Sequence, residues 1–87
     1  MIREAIIAIN ESNGLHARPA AELAAMAKRY KSNITLIAGS KEANAKSIIS
    51  LLTLGLKKGS LINLKIEGED SEDAMHEVTT FFEKMCQ

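Results

Sequence analysis

Two spacings of apolar residues take turns along this chain, and their order leaves few folds open. Ala5, Ile7 and Ile9 recur at every second position, which predicts a strand over residues 3–9. After a polar turn at 10–14, Ala20, Leu23, Ala24, Ala27 and Tyr30 fall on one stripe and predict a helix over 16–30. Pro19 fixes where that helix begins, because proline is tolerated in the first turn, where an N–H has no intrahelical acceptor to lose. Ile34 and Leu36 mark a second strand over 33–37, and a short third follows over 41–45. Ser47 is the expected N-cap of a short helix over 48–54, with Gly55 just beyond its end. Ile62, Leu64 and Ile66 alternate in a fourth strand over 61–66. Asp70 or Ser71 caps a last helix on which Ala74, Met75, Val78, Phe81, Phe82 and Met85 share a face.

The order βαββαβα predicts an α+β open-faced β-sandwich, a four-stranded, mostly antiparallel sheet carrying three helices on one face. Its crossovers are expected to be right-handed. Eighty-seven residues without a linker or repeat make one domain, residues 1–87. Aromatic residues make up 3% of the chain and there is no Trp, so base-stacking platforms for nucleic acid are nearly excluded. The net charge of zero argues the same way. Charge is nonetheless segregated. Residues 18–65 hold nine basic and two acidic residues, and residues 66–87 seven acidic and one basic. A basic body of this kind can present a positive face to an acidic protein partner, although most single lysines on it are simply solvated.

The one cysteine, Cys86, has no partner for a disulfide or zinc knuckle and reads as a bystander. His76 lies opposite the apolar stripe of the last helix and reads as solvated, too far from Cys86 along one helix to share a metal. No metal or cofactor is expected. The longest nearly apolar stretch, residues 48–56, is too short to enter a bilayer as a span, and the first ten residues do not make a signal peptide. The expectation is a cytoplasmic chain with no membrane insertion and no nucleic-acid partner.

Chemistry concentrates in Asn13-Gly14-Leu15-His16-Ala17-Arg18-Pro19-Ala20-Ala21. A helix N-terminus carries unpaired N–H groups and a partial positive charge, so it attracts anions. A neutral imidazole such as that of His16 is a nucleophile near neutral pH, and the fork of Arg18 suits phosphate oxygens. Two readings fit the pair, a capping or surface histidine and a phosphoryl acceptor steadied by Arg18. No nucleotide-binding glycine loop and no nearby carboxylate pair with metal-ligand spacing equips the chain to generate a phosphoryl group itself.

The run Gly14-Leu15-His16-Ala17-Arg18-Pro19-Ala20 resembles the active-centre signature of the HPr family, histidine-containing phosphocarriers of the bacterial phosphoenolpyruvate:sugar phosphotransferase system. The segment Ala45-Lys46-Ser47-Ile48-Ile49-Ser50-Leu51-Leu52-Thr53-Leu54-Gly55 resembles the same family's serine signature. The resemblance covers essentially the whole chain. It implies a carrier without turnover of its own, phosphorylated at His16 on Nδ1 by enzyme I and discharged to EIIA domains of sugar permeases, with Arg18 contacting the phosphoryl group. It implies Ser47 as the target of a Ser-specific HPr kinase/phosphorylase, and a catabolite-control regulator as a further partner. Ala17, Ala21, Ile48, Ile49 and Leu52 match the family's apolar docking surface, with Lys28, Lys41 and Lys46 as its basic rim.

The residues support a docking face on their own account, since Ile48, Ile49, Leu51 and Leu52 cannot all point inward from a two-turn helix. Ser47 carries two compatible roles, N-cap and phosphosite. A monomer is expected, because a carrier exposes one face to successive partners. Two alternatives stand beside this reading. One is the nitrogen-related branch of the same family, which keeps the histidine in a regulatory role. The other is a ferredoxin-like binding module. His16 itself excludes the catabolite-repression paralogue that lacks the histidine, and the absence of Met-x-Cys-x-x-Cys excludes a copper chaperone.

Overall fold

Which side of each strand is apolar decides the layering of the molecule. The computed structural model describes residues 1–85, so Cys86 lies outside the described residues. Its elements are β1 (Ile2–Ala8), α1 (Ala17–Ala27), β2 (Asn33–Ala38), β3 (Lys41–Asn44), α2 (Ile48–Thr53), β4 (Leu61–Glu67) and α3 (Ser71–Met85). The strands form one sheet in the order β1-β4-β2-β3, with every neighbouring pair antiparallel. The α+β open-faced arrangement in the order βαββαβα is therefore the observed fold.

Residues directly opposite one another in antiparallel strands point to the same face. Ala5 faces Leu64, Ile7 faces Ile62, Ile34 faces Ile66, and Leu36 faces both Leu64 and Ala43. That row lies under the helices, half-buried at Ala5 and Ile7 and buried beyond them, with Leu23, Ala24 and Ala27 of α1, Leu51 of α2, and Ala74, Val78 and Phe82 of α3. The opposite face stays open and mixes Glu4, Lys65, Thr35 and Asn44 with the exposed Ile2, Ile6 and Leu61. Antiparallel sheets tolerate one solvated face, which is why alternation along each strand is clean.

One helix ends short of the periodic reading, and the residue before another does more than cap it. α1 stops at Ala27, and the Arg29 and Tyr30 amides bond to the carbonyls three residues back, Met26 and Ala27 (3.1 Å each). The tightened turn has partners waiting for it. Arg29 and the Tyr30 hydroxyl both donate to the carboxylate of Glu77 on α3, and Lys46 Nζ donates to the Tyr30 carbonyl at 2.8 Å. The bond to Glu77 also raises the Tyr30 phenol above its ordinary pKa. α3 begins at Ser71, and the Asp70 carbonyl accepts from Ala74 N at 3.0 Å. The Asp70 carboxylate, however, is engaged across the fold, accepting from Lys31 N (2.8 Å), Ser32 N (2.9 Å) and the Ser32 hydroxyl. It ties the α1–β2 loop to the start of α3. Elsewhere the caps are as read. The Ser47 hydroxyl accepts from Ser50 N, and Gly55 follows α2 at φ +63.

Between β1 and α1 the chain is clamped against the entry to β4. Ile9 N donates to Ser60 O (2.8 Å), Gly59 N to Ile9 O (2.7 Å), and Leu15 N to Leu56 O (3.3 Å). Gly14 sits in this clamp at φ +67, where a Cβ would run into the Leu56 carbonyl oxygen and lie 2.9 Å from its carbon and from Lys57 Cα. The obstacle is backbone, which has nowhere to move. Gly14→Ala should lower stability by about 2–4 kcal/mol, combining the positive-φ strain with the clash. Urea denaturation of the two proteins measures it, and a loss below about 0.5 kcal/mol contradicts the packing.

Hydrogen bonds from the Ser32 hydroxyl, and then from the Lys31 amide, hold the Asp70 carboxyl below the usual carboxylate range. A folded pKa below the unfolded one gives stability that is fully present above about pH 4 and is lost as the pH falls through the folded value. The melting temperature of the wild type should therefore drop on acidification, and Asp70→Asn should show a shallower drop. Thermal melts from neutral pH to about pH 2 check this, and parallel curves contradict it.

Candidate functional site

α1 begins at the end of the clamped loop, and its first turn is built unusually. His16 occupies the N-cap with extended backbone (φ −93, ψ −170), and its carbonyl accepts from Ala20 N at 2.9 Å. Its side chain makes no capping hydrogen bond. Pro19 offers no amide, and its ring is buried at the first turn. The amides of His16, Ala17 and Arg18 donate to no acceptor among the described residues. A half-exposed imidazole thus stands beside free N–H groups at the positive end of a helix, an arrangement that favours an anion held against the ring.

The ring opens on a shallow cavity of about 260 Å³ shared with Glu11, Arg18, Pro19, Glu22, Phe81, Lys84 and Met85. Arg18 is exposed and has no ion pair among the described residues. The Glu11 carboxylate accepts from Ser12 Oγ (3.2 Å) and Asn13 N (3.4 Å), which fixes the loop in front of the histidine. A larger polar hollow lies on the open sheet face, lined by Asn33, Thr35, Glu42, Asn44, Lys65 and Glu67, without histidine or arginine. The nucleophile and the anion-binding groups all belong to the smaller one.

The second expected feature is a surface. On α2, Leu51 is fully buried while Ile48 (40% exposed), Ile49 (75%) and Leu52 (41%) look outward. α1 packs against α2, and on α1 Ala17 is exposed while Ala21 is half-buried. Lys46 is half-buried and tethered to the Tyr30 carbonyl, so it braces the segment that leads into Ser47. Lys28 is the C-cap of α1, about 18 Å along the helix axis from His16. Lys41 opens β3, the edge strand, across from Ala38. Those two lysines do not join the histidine cavity.

Sequence reasoning overlooked the α3 side of that cavity. Phe81, Lys84 and Met85 follow the i, i+3, i+4 rule and share one side of the helix, so the stripe that marked two of them as core also pointed to Lys84. His76 is exposed in the middle of α3, as expected. Among the described residues, no group of three or more histidine, cysteine or acidic side chains is placed to hold a metal, and no helix is long and apolar enough to cross a membrane.

Comparison with known proteins agrees with this geometry. The sequence model described as the PTS HPr component phosphorylation site matches residues 3–84. The phosphocarrier protein HPr of Buchnera aphidicola subsp. Acyrthosiphon pisum is 44% identical over 73 residues, which are 84% of this chain and 86% of that protein. Among solved structures, the histidine-containing phosphocarrier protein of Mycoplasma superposes with a TM-score of 0.93 at 33% identity, covering 97% of this chain and 96% of that one. HPr of Thermoanaerobacter tengcongensis gives 0.91 at 36% identity, covering 97% and 94%. A family match over nearly the whole chain, on the fold the sequence dictates, leads to one conclusion: the chain belongs to the HPr family of phosphocarriers of the phosphotransferase system.

Proposed function

We propose that residues 1–87 act as a single-domain, monomeric carrier in the cytoplasm, taking a phosphoryl group onto Nδ1 of His16 from enzyme I and passing it to EIIA domains of sugar permeases. One observation carries the reading most of the way. The His16 ring stands at the N-cap without a capping bond, in a cavity that also holds the unpaired Arg18. In the forward step the lone pair on Nδ1 attacks the phosphorus of the phosphoryl group carried by enzyme I. The new N–P bond forms as the bond to the donor atom breaks, and that donor group leaves with the bonding pair. The proton on the far ring nitrogen of His16 stays in place, and no water takes part. Arg18 and the free amides of the first turn stabilise the charge on the phosphoryl oxygens.

An open, shallow site suits hand-over between proteins better than turnover of a small molecule, which needs enclosure. The docking surface in this reading is Ala17, Ala21, Ile48, Ile49 and Leu52, with Lys46 at its border and Lys28 and Lys41 contributing longer-range attraction to acidic partners. Ser47 is its regulatory point. As N-cap it contributes about 1 kcal/mol to α2. A phosphate placed there by a Ser-specific HPr kinase/phosphorylase would sit favourably at the helix end but would put negative charge beside the apolar patch. The same modified surface is the one a catabolite-control regulator would read.

The test is intact-mass spectrometry at neutral to basic pH after incubation with phosphoenolpyruvate, Mg²⁺ and purified enzyme I. Wild type should gain one phosphoryl mass that mild acid removes. His16→Ala should gain none while melting within a few degrees of wild type, since the half-exposed ring makes no capping bond. Labelling of the variant, or its collapse, contradicts the assignment.

Ser47→Asp should leave the fold intact and slow transfer from enzyme I roughly tenfold, the equivalent of about 1.4 kcal/mol of like-charge repulsion at the interface. Stopped-flow or quench-flow transfer rates decide. Unchanged rates contradict the docking face.

A further inference from the structure

We propose that Lys84 of α3 is a second cation of the phosphoryl site, acting with Arg18 from the α3 side of the cavity to hold the group carried by His16. The inference rests on the carrier reading of His16 and extends it to a residue of the C-terminal helix. Lys84 lies in the last turn of α3 and lines the same cavity as His16 and Arg18. Phe81 and Met85, its neighbours on that side of the helix, line the cavity with it and pack against the core, so the turn that bears Lys84 is anchored.

The charges around the ring come from three elements. Glu11 stands on the loop after β1, Arg18 and Glu22 on α1, and Lys84 on α3. Neither Arg18 nor Lys84 is ion-paired among the described residues, although two carboxylates share their cavity. The two cations and two carboxylates balance before phosphorylation. A phosphoryl dianion on the ring tips that balance, and an unpaired ammonium in the same cavity is then the group free to answer it. Lys84 also complements the C-terminal end of the α3 dipole, but that role would be served equally well by any cation there and would not sense the state of His16.

In near-water dielectric, an ammonium held on the order of 8 Å from a dianion shifts an equilibrium by about fivefold. The experiment compares wild type, Lys84→Gln, Lys84→Arg and the control Lys65→Gln, whose lysine stands on the open sheet face. The first arm measures the phosphotransfer equilibrium with enzyme I at low and at high salt. The second titrates inorganic phosphate into each unphosphorylated protein and follows the backbone amides of residues 16–20 by NMR.

Lys84→Gln should lower the phosphorylated fraction constant by about fivefold at low salt and weaken phosphate binding in the same direction. Lys84→Arg should restore both, and Lys65→Gln should match wild type. High salt should shrink the difference. A Lys84→Gln protein equal to wild type in both arms overturns the proposal while leaving His16 as carrier. A wild type that enzyme I cannot label, beside a positive-control carrier labelled in the same tube, overturns the carrier reading. The phosphate arm then decides alone, and equal titrations of wild type and Lys84→Gln overturn the cation assignment as well.

Discussion

The position of the histidine depends on one crossing of the backbone. The carbonyl of Leu56, at the exit of α2, accepts from Leu15 N and packs on Gly14, while the following turn is bonded to Ile9 on both sides. This stitches the loop after β1 to the entry of β4, the strand beside β1 in the sheet. Because β1 and β4 are in fixed register from Ile2 opposite Glu67 to Ala8 opposite Leu61, the loop inherits the rigidity of the sheet. His16 therefore emerges from backbone that is held on two sides, and the first turn of α1 starts from it. A carrier that must meet several partners gains from such placement, since the reactive nitrogen is oriented before any partner arrives.

The same economy of contacts explains the opposite end of the molecule. Where α1 ends, Glu77 collects Arg29 and the Tyr30 hydroxyl, Asp70 collects the amides of Lys31 and Ser32, and Lys46 reaches the Tyr30 carbonyl. Together these bind the end of α1 to α3 and to the approach to α2. α2 contributes a single fully buried side chain, Leu51, so its outward apolar face is set by its neighbours more than by its own burial. Ser47 sits where that bracing and the exposed patch meet, which is why a charge placed there is expected to act on docking and not on folding.

Much of this was legible in the residues. Alternation marked β1, β2 and β4 and helical stripes marked α1 and α3, because one buried face per element leaves a clear period, while β3 and α2 rested on turn and cap residues. Pro19 placed the start of α1 within one residue, and Ser47 and Gly55 bracketed α2. The end of α1 was misjudged at Tyr30 because its apolar ring keeps the helical spacing, while the contacts that tighten the turn come from Glu77 and Asp70, some 40 to 50 residues away. Asp70 was legible as a cap by type, but its carboxylate serves a tertiary bond that no local pattern encodes. Of the candidate site, the motif named His16 and Arg18, which line one cavity. Lys84 was not, because it reaches the cavity only once α3 folds back beside α1.

The central claim is that the phosphoryl group resides on one nitrogen of one ring. The chain offers only two histidines, His16 at the cavity and His76 exposed on α3. Phosphorus–nitrogen correlation NMR on nitrogen-15-labelled protein, freshly phosphorylated through enzyme I at basic pH, reads the bond directly. The account predicts a single phosphorus resonance coupled to Nδ1 of His16. Coupling to Nε2, to the His76 ring, or a phosphorus on a hydroxyl oxygen such as that of Ser47 would contradict it.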